Sequence, residues 1–382
     1  MFNKYSERKN KFMLTGRFAK KGYDWWWHTV PAVSEETGKP KVFFVEYFVV
    51  NPGLGKKEPV FGQLPKNQKK KIRPSYIMVN VGSWGEGGTA QLHRFFGWKE
   101  KGVKVKKGAP FYVKAGDCYC DEKVMRGSVH ISAEDAAAHP EWMSDAGDME
   151  WDIKIKPKVA WNVGFATAAP MRALKLLDMA WHSNGMLTKY TGTITFNGEK
   201  FKVATTDTSN GYQDKNWGRD FTSPWMWLSS SHLTDNKTGK QLKDTIFNIG
   251  GGRPSAMGIP VGRILLGCFY KDGKEYEFNF SKVWTLARSK YSFEELDDKV
   301  VWHARLSNRK YIMTAEIECE KENTTFWRLE NPKGQKRMNH LWNSGCAHGD
   351  VVLYKKRRFR KDKVLADVHA VDVGVDYGEY DA

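Results

Sequence analysis

The chain has 382 residues, enough for two domains of ordinary size, and its 41% hydrophobic and 14% aromatic content excludes a disordered polypeptide. Its 61 Lys and Arg against 44 Asp and Glu leave a net charge of +17, a balance that draws a protein toward anionic partners. The cations fall in loop-like runs such as Lys69-Lys70-Lys71 and Lys355-Lys356-Arg357-Arg358. With no basic helical stripe and no aromatic nucleotide platform, a nucleic-acid partner is not expected. The first reading of the charge is a solvated basic surface, and the second is weak attraction to an anionic membrane surface.

The first twenty residues are basic without an apolar core, and no apolar run reaches the length of a membrane span, so a soluble cytoplasmic protein is expected. Tyr23-Asp24-Trp25-Trp26-Trp27 follows, part of a load of 16 Trp. Such a load fits a roomy aromatic cavity, or barrel strands that use aromatics throughout. Along a strand two of these three indoles share a face and the third opposes them; one face is expected at a cavity and the other at a domain contact. His28 comes next, a second candidate to assist the acid or a surface or interface histidine. Lys41 to Val50 is a continuous apolar run of strand length, Gly53 to Arg73 reads as a long exposed loop, and Ser75 to Val81 is another strand. Cys118 and Cys120 share a strand face. The five cysteines are odd in number, suggest no disulfide framework, and lack the spacing of a zinc site, so no metal is expected.

Ser132 is placed to cap a short helix through Ala138, and Trp151 to Lys156 alternates as a half-buried strand does. Pro170 to Ala180 has helical spacing and reads as a bridge between two β-domains. Asn197-Gly198 and Asp272-Gly273 each separate two strand-like runs and predict two-residue hairpins. Gly250-Gly251-Gly252-Arg253 lacks the Lys-Ser/Thr of a phosphate loop and reads as a loop end or bulge where backbone approaches closely. Phe293 to Asp298 reads as one helical turn. Tyr311, Met313, Ala315, Ile317 and Cys319 share one strand face, opposite Glu316, Glu318 and Glu320. The tail after Val364 is expected to fray.

Gly211-Tyr212-Gln213-Asp214-Lys215-Asn216-Trp217-Gly218 concentrates the chemistry. A carboxyl dehydrated by Tyr212 and Trp217 has a raised pKa, keeps its proton near neutral pH, and can give it to an alkene. The cation so formed is stabilised by aromatic faces. The alternative is an Asp214 paired with Lys215 or Arg219. Trp225 and Trp227 share a face and are candidate pocket walls, or ordinary core.

The Tyr212-x-Asp214-x-x-Trp217-Gly218 motif, with Trp181-His182-Ser183-Asn184-Gly185 before it and Trp225-Met226-Trp227 after, resembles the tocopherol cyclase family. The carotenoid 1,2-hydratases (hydroxyneurosporene synthases) and fungal lipocalin-like Diels–Alderases are that family's structural relatives. The resemblance is good over residues 165–290, and Tyr23-Asp24-Trp25-Trp26-Trp27 stands where the family has a Phe-Glu-Gly-Trp-Tyr-like run. It implies an all-β chain of two tandem lipocalin-like antiparallel barrels joined by a short helical bridge: residues 1–169, then residues 170–382 with the frayed tail. It implies Asp214, Tyr212 and His182 as the catalytic set. Trp181, Trp217, Trp225, Trp227 and Trp26 are the expected substrate-binding residues. The function expected is cofactor-independent, acid-assisted cyclisation, hydration or isomerisation of a hydrophobic, isoprenoid or polyketide-like substrate. A non-catalytic carrier of a hydrophobic ligand and a carbohydrate-binding β-sandwich are the alternatives.

Overall fold

The computed structural model describes residues 8–85, 88–163, 179–256, 259–260, 262–280, 282–334 and 337–380. The expected all-β class holds. Two large antiparallel sheets, of twelve and eleven strands, follow one another along the chain, with a two-stranded ribbon beside them. Each curls until distant strands meet. In the first sheet Arg94 Nη1, on the edge strand Ala90–Phe96, donates to the Ser128 carbonyl on Val124–Ile131. In the second, the Leu265 N–H donates to Ser289 Oγ, joining Ile264–Lys271 to Arg288–Glu295.

Local sequence sets much of this. Asn197 and Gly198 take positive φ (48° and 85°) between Met179–Phe196 and Glu199–Ala204. Asp272 and Gly273 do the same (51° and 74°) between Ile264–Lys271 and Lys274–Phe278. These are the left-handed positions that a two-residue hairpin demands. Ser132 Oγ accepts the Asp135 N–H and caps the helix Ala133–Ala138. Trp151, Ile153 and Ile155 point inward from Gly147–Trp161. All five cysteines are free thiols.

Three expectations change. Phe293 is not in a helical turn but extended in Arg288–Glu295, because its ring stacks on Tyr377 with centroids 3.9 Å apart and packs edge-on against Trp302. The tail does not fray. Lys363–Tyr380 is an 18-residue strand held between Trp225–Ser230 and Arg337–Lys355, and it buries Ala366, Val368, Ala370, Val373 and Val375. The Gly250-Gly251-Gly252 run is the end of the strand Ile246–Gly252 and not a loop, although the expected close backbone approach is there: a Cβ on Gly251 would lie 2.3 Å from the Ile264 carbonyl oxygen.

The chain changes sheet between Gly218 and Trp225. Residues 179–218 therefore complete the first sheet, since Gly211–Gly218 lies between Tyr23–Ser34 and Met179–Phe196. The expected division at 169/170 and most of the expected bridge, residues 170–178, lie outside the described residues. Each sheet encloses its own apolar cluster, and a third cluster fills the seam between them. At the seam Trp25 meets Trp225 edge-on at 5.8 Å, and the Trp161 indole N–H donates to Glu277.

Candidate active site

A cavity lies at this seam, lined from both sheets. Directly paired residues of antiparallel strands point to the same face. In the first sheet Glu46 pairs with Trp27, and Trp27 pairs with Asp214. These three form one row across three strands, which sets the Glu46 and Asp214 backbones about 10 Å apart. In the second sheet Asn343 pairs with Asp376, Asp376 with Trp227, and Trp227 with Gly250. The two rows face the same space, together with Trp25, Trp181 and Trp225. Gly250 is required here: a Cβ would lie 2.6 Å from the Trp181 ring.

Asp214 is the best-defined group of the cavity. It is buried, and its Oδ2 accepts the Trp181 indole N–H at 2.7 Å and the Tyr212 hydroxyl at 2.9 Å. Its Oδ1 has no hydrogen-bond partner among the described residues. The Tyr212 hydroxyl is tied back across the seam. The Asn248 amide N–H₂ donates to it at 3.4 Å, and Asn248 Oδ1 accepts the Trp227 indole N–H at 3.1 Å. With its side-chain amide turned to suit its neighbours, Asn216 donates to the Ala180 carbonyl and accepts the Trp25 indole N–H, both at 3.1 Å.

Among the described residues no cation balances Asp214. Its chain neighbour Lys215 points the other way and pairs with Asp24. Burial pushes Asp214 up to about 7, against the pull of the donors on Trp181, Tyr212 and Trp25. Burial likewise pushes Glu46 to about 8 and Asp376 to about 7, with the neighbouring carboxylates adding to the rise. Glu46 Oε2 accepts the Asn80 amide at 2.8 Å, and Asp376 Oδ1 accepts the Asn343 amide at 2.7 Å. Near neutral pH, then, the cavity holds three carboxyls that do not all ionise together.

The structure brings Asp214, Tyr212, Trp181, Trp225 and Trp227 together. His182, Trp217 and Trp26 are corrections. His182 pairs with Lys215, so it faces the interior of the first barrel, away from Asp214. Both its ring nitrogens are buried without a hydrogen bond among the described residues, and burial drives it down to about 3. Trp217 lies three residues from Asp214 and therefore on the opposite face, where its ring sits 5.6 Å from Lys215 Nζ. Trp26 also points inward, stacked on Phe111 at 4.3 Å with its N–H on the Asn10 carbonyl. Trp25 and Trp27 are the two that face the cavity. His28 is inside the barrel too, with Nδ1 2.9 Å from the Tyr190 hydroxyl, and burial lowers it to about 3.

Glu46, Asp376, Asn343 and Asn248 are additions that sequence reading missed. Only Glu46 carried a signal: it is the one charge inside the apolar run Val42–Val50, and a carboxylate there is rarely incidental.

A family model described as tocopherol cyclase-like matches residues 93–379. No curated protein sequence matches the chain. Two solved structures align over most of its length. One is an AttH protein of Nitrosomonas europaea, 11% identical, with a TM-score of 0.45 and coverage of 96% of this chain and 96% of that one. The other is kievitone hydratase of Nectria haematococca, 10% identical, with a TM-score of 0.49 and coverage of 94% and 89%. The family match takes in the whole Gly211–Gly218 strand and the second-sheet row with Trp227 and Asp376; the chain belongs to the tocopherol cyclase-like family.

Proposed function

We propose that the protein is an acid catalyst that cyclises, hydrates or isomerises a hydrophobic, isoprenoid- or polyketide-like substrate held at the seam between its two sheets. One observation carries the reading: among the described residues Asp214 is a buried carboxyl without a counter-cation, with its Trp181 and Tyr212 donors on one oxygen and no hydrogen bond on the other. Because Oδ2 already accepts from Trp181 and Tyr212, the proton of the neutral acid resides on Oδ1. That atom is free to deliver it to a substrate alkene.

The alkene π pair forms the new C–H bond, and Asp214 is left as carboxylate. The carbocation is flanked by the indole faces of Trp25, Trp27, Trp181, Trp225 and Trp227, each able to stabilise it by about 1–2 kcal/mol when dry. Capture by water gives an alcohol, capture by an internal hydroxyl gives a ring, and loss of a neighbouring proton moves the double bond. In each case the proton released goes to a carboxylate of the cavity, and Asp214 is reloaded. Family membership supports the cyclase or hydratase class. The sugar-binding alternative loses support because these indoles line a cavity at the seam and not an exposed row. The carrier alternative has no use for an uncompensated acid in that cavity.

The test is turnover by wild type and Asp214→Asn on a panel of prenylated phenols and linear isoprenoids. General-acid loss predicts a fall of about 10²–10⁴-fold with ligand binding retained. Full activity in the variant would remove Asp214 as the acid.

A further inference from the structure

Seven of the nine residues from Lys355 to Lys363 are Lys or Arg, one is Asp, and the ninth is Phe359. All nine are exposed. They link the long strands Arg337–Lys355 and Lys363–Tyr380 at one end of the second sheet. Phe359 stands at the turn with φ of 65° and is 90% exposed, its ring held 5.0 Å from the Arg358 guanidinium. The lone acid, Asp362, is engaged by the Arg357 N–H within the turn.

Two further segments join this end. The Lys356 N–H and ammonium donate to the Lys310 and Asn308 carbonyls, at 2.8 and 2.7 Å. The Arg309 N–H in turn donates to the Thr285 carbonyl at 3.2 Å, between Trp284 (68% exposed) and Leu286 (56%). Three adjoining turns thus present cations around bare apolar tips. Uncompensated Lys and Arg attract an anionic surface. Aromatic tips lower their free energy by leaving water at a bilayer interface. An aliphatic tip such as Leu286 gains nothing from a phosphate backbone or a base stack, which favours lipid over nucleic acid.

We infer that this end of the second sheet docks on an anionic lipid bilayer, with Phe359 and Trp284 entering the headgroup layer and the surrounding Lys and Arg on lipid phosphates and carboxylates. The site is separate from the cavity and does not depend on the proposed chemistry there. Flotation of the full chain with vesicles of phosphatidylcholine, alone or mixed with phosphatidylserine, tests it. Wild type is expected on the mixed vesicles and not on phosphatidylcholine alone. Phe359→Ala is expected to weaken that binding about tenfold. Arg357→Glu with Arg358→Glu should weaken it by about 25-fold or more. Both variants should keep the wild-type melting temperature, since the altered side chains are exposed. Equal binding to both vesicle types, wild-type binding by Phe359→Ala, or retention on duplex DNA with no vesicle binding would each overturn the inference.

Discussion

Two buried aspartates lie on opposite faces of one layer of strand, and they have been treated differently. Asp24 faces the interior of the first barrel. Its carboxylate binds the Lys215 ammonium and the Met13 N–H, and Lys215 Nζ also sits 3.8 Å from the Trp26 ring. Burial pushes Asp24 up and Lys215 down, while each restrains the shift of the other. Asp214, on the adjacent strand and one residue from Lys215, faces the cavity with neutral donors only. Burial is common to both. The missing cation, the unbonded oxygen and the open space in front of it belong to Asp214 alone, and those three features separate a proton donor from a structural ion pair.

The comparison can be broken first from the barrel side. Lys215→Met leaves Asp24 buried without its cation, which should cost about 3–5 kcal/mol, read as a lower urea midpoint. Adding Asp24→Asn should recover most of that loss while leaving turnover dependent on Asp214. An unchanged midpoint in the single variant would mean that the pair holds nothing together. On the cavity side Trp227→Leu removes one aromatic face and the anchor of Asn248; a fall of about 5–30-fold in kcat follows from 1–2 kcal/mol of lost cation stabilisation. A change confined to KM would show that the indole only binds. Tyr212→Phe takes one donor from the ionised form of Asp214, so its pKa rises further and the alkaline limb of the activity profile should move to higher pH. The smallest effect is expected at His182. His182→Asn should leave the pH profile of turnover where it was, because the ring faces the barrel; a displaced limb would restore it to the catalytic set.

Strand parity explains much of what was legible. Tyr212, Asp214 and Asn216 share a face by alternation alone, and Trp181 came from the resemblance to the tocopherol cyclase family. The same parity places Trp217 and Lys215 opposite Asp214, so reading Trp217 as a pocket wall overlooked a rule already in the sequence. Trp25, Trp26 and Trp27 were harder, because both faces of their strand are buried and polarity gives no phase. Glu46 and Asp376 reach the cavity only through register, from strands separated by more than 300 residues, and no local pattern carries that information. Lys363–Tyr380 alternates from Ala366 to Ala370 and, one residue out of phase, from Val371 to Tyr377; reading it as a tail overlooked that pattern, and partners on both sides make it a central strand.

The central claim is that Asp214 is a neutral acid in the folded protein near pH 7. Its folded value, near 7 against an ordinary 3.8, means that folding favours the protonated form. The stability this contributes is fully present below the unfolded value and is lost as pH rises through the folded one. Asp214→Asn cannot titrate, and it also removes the rise that Asp214 adds to Glu46 and Asp376, a smaller contribution than burial. The measurement is the unfolding free energy of wild type minus that of Asp214→Asn from about pH 4 to pH 9. The account predicts a difference that declines as pH rises from about 4 and levels off above about 7, with turnover falling as pH passes through about 7. A difference that stays flat from end to end would contradict it, since Asp214 would then be ionised throughout.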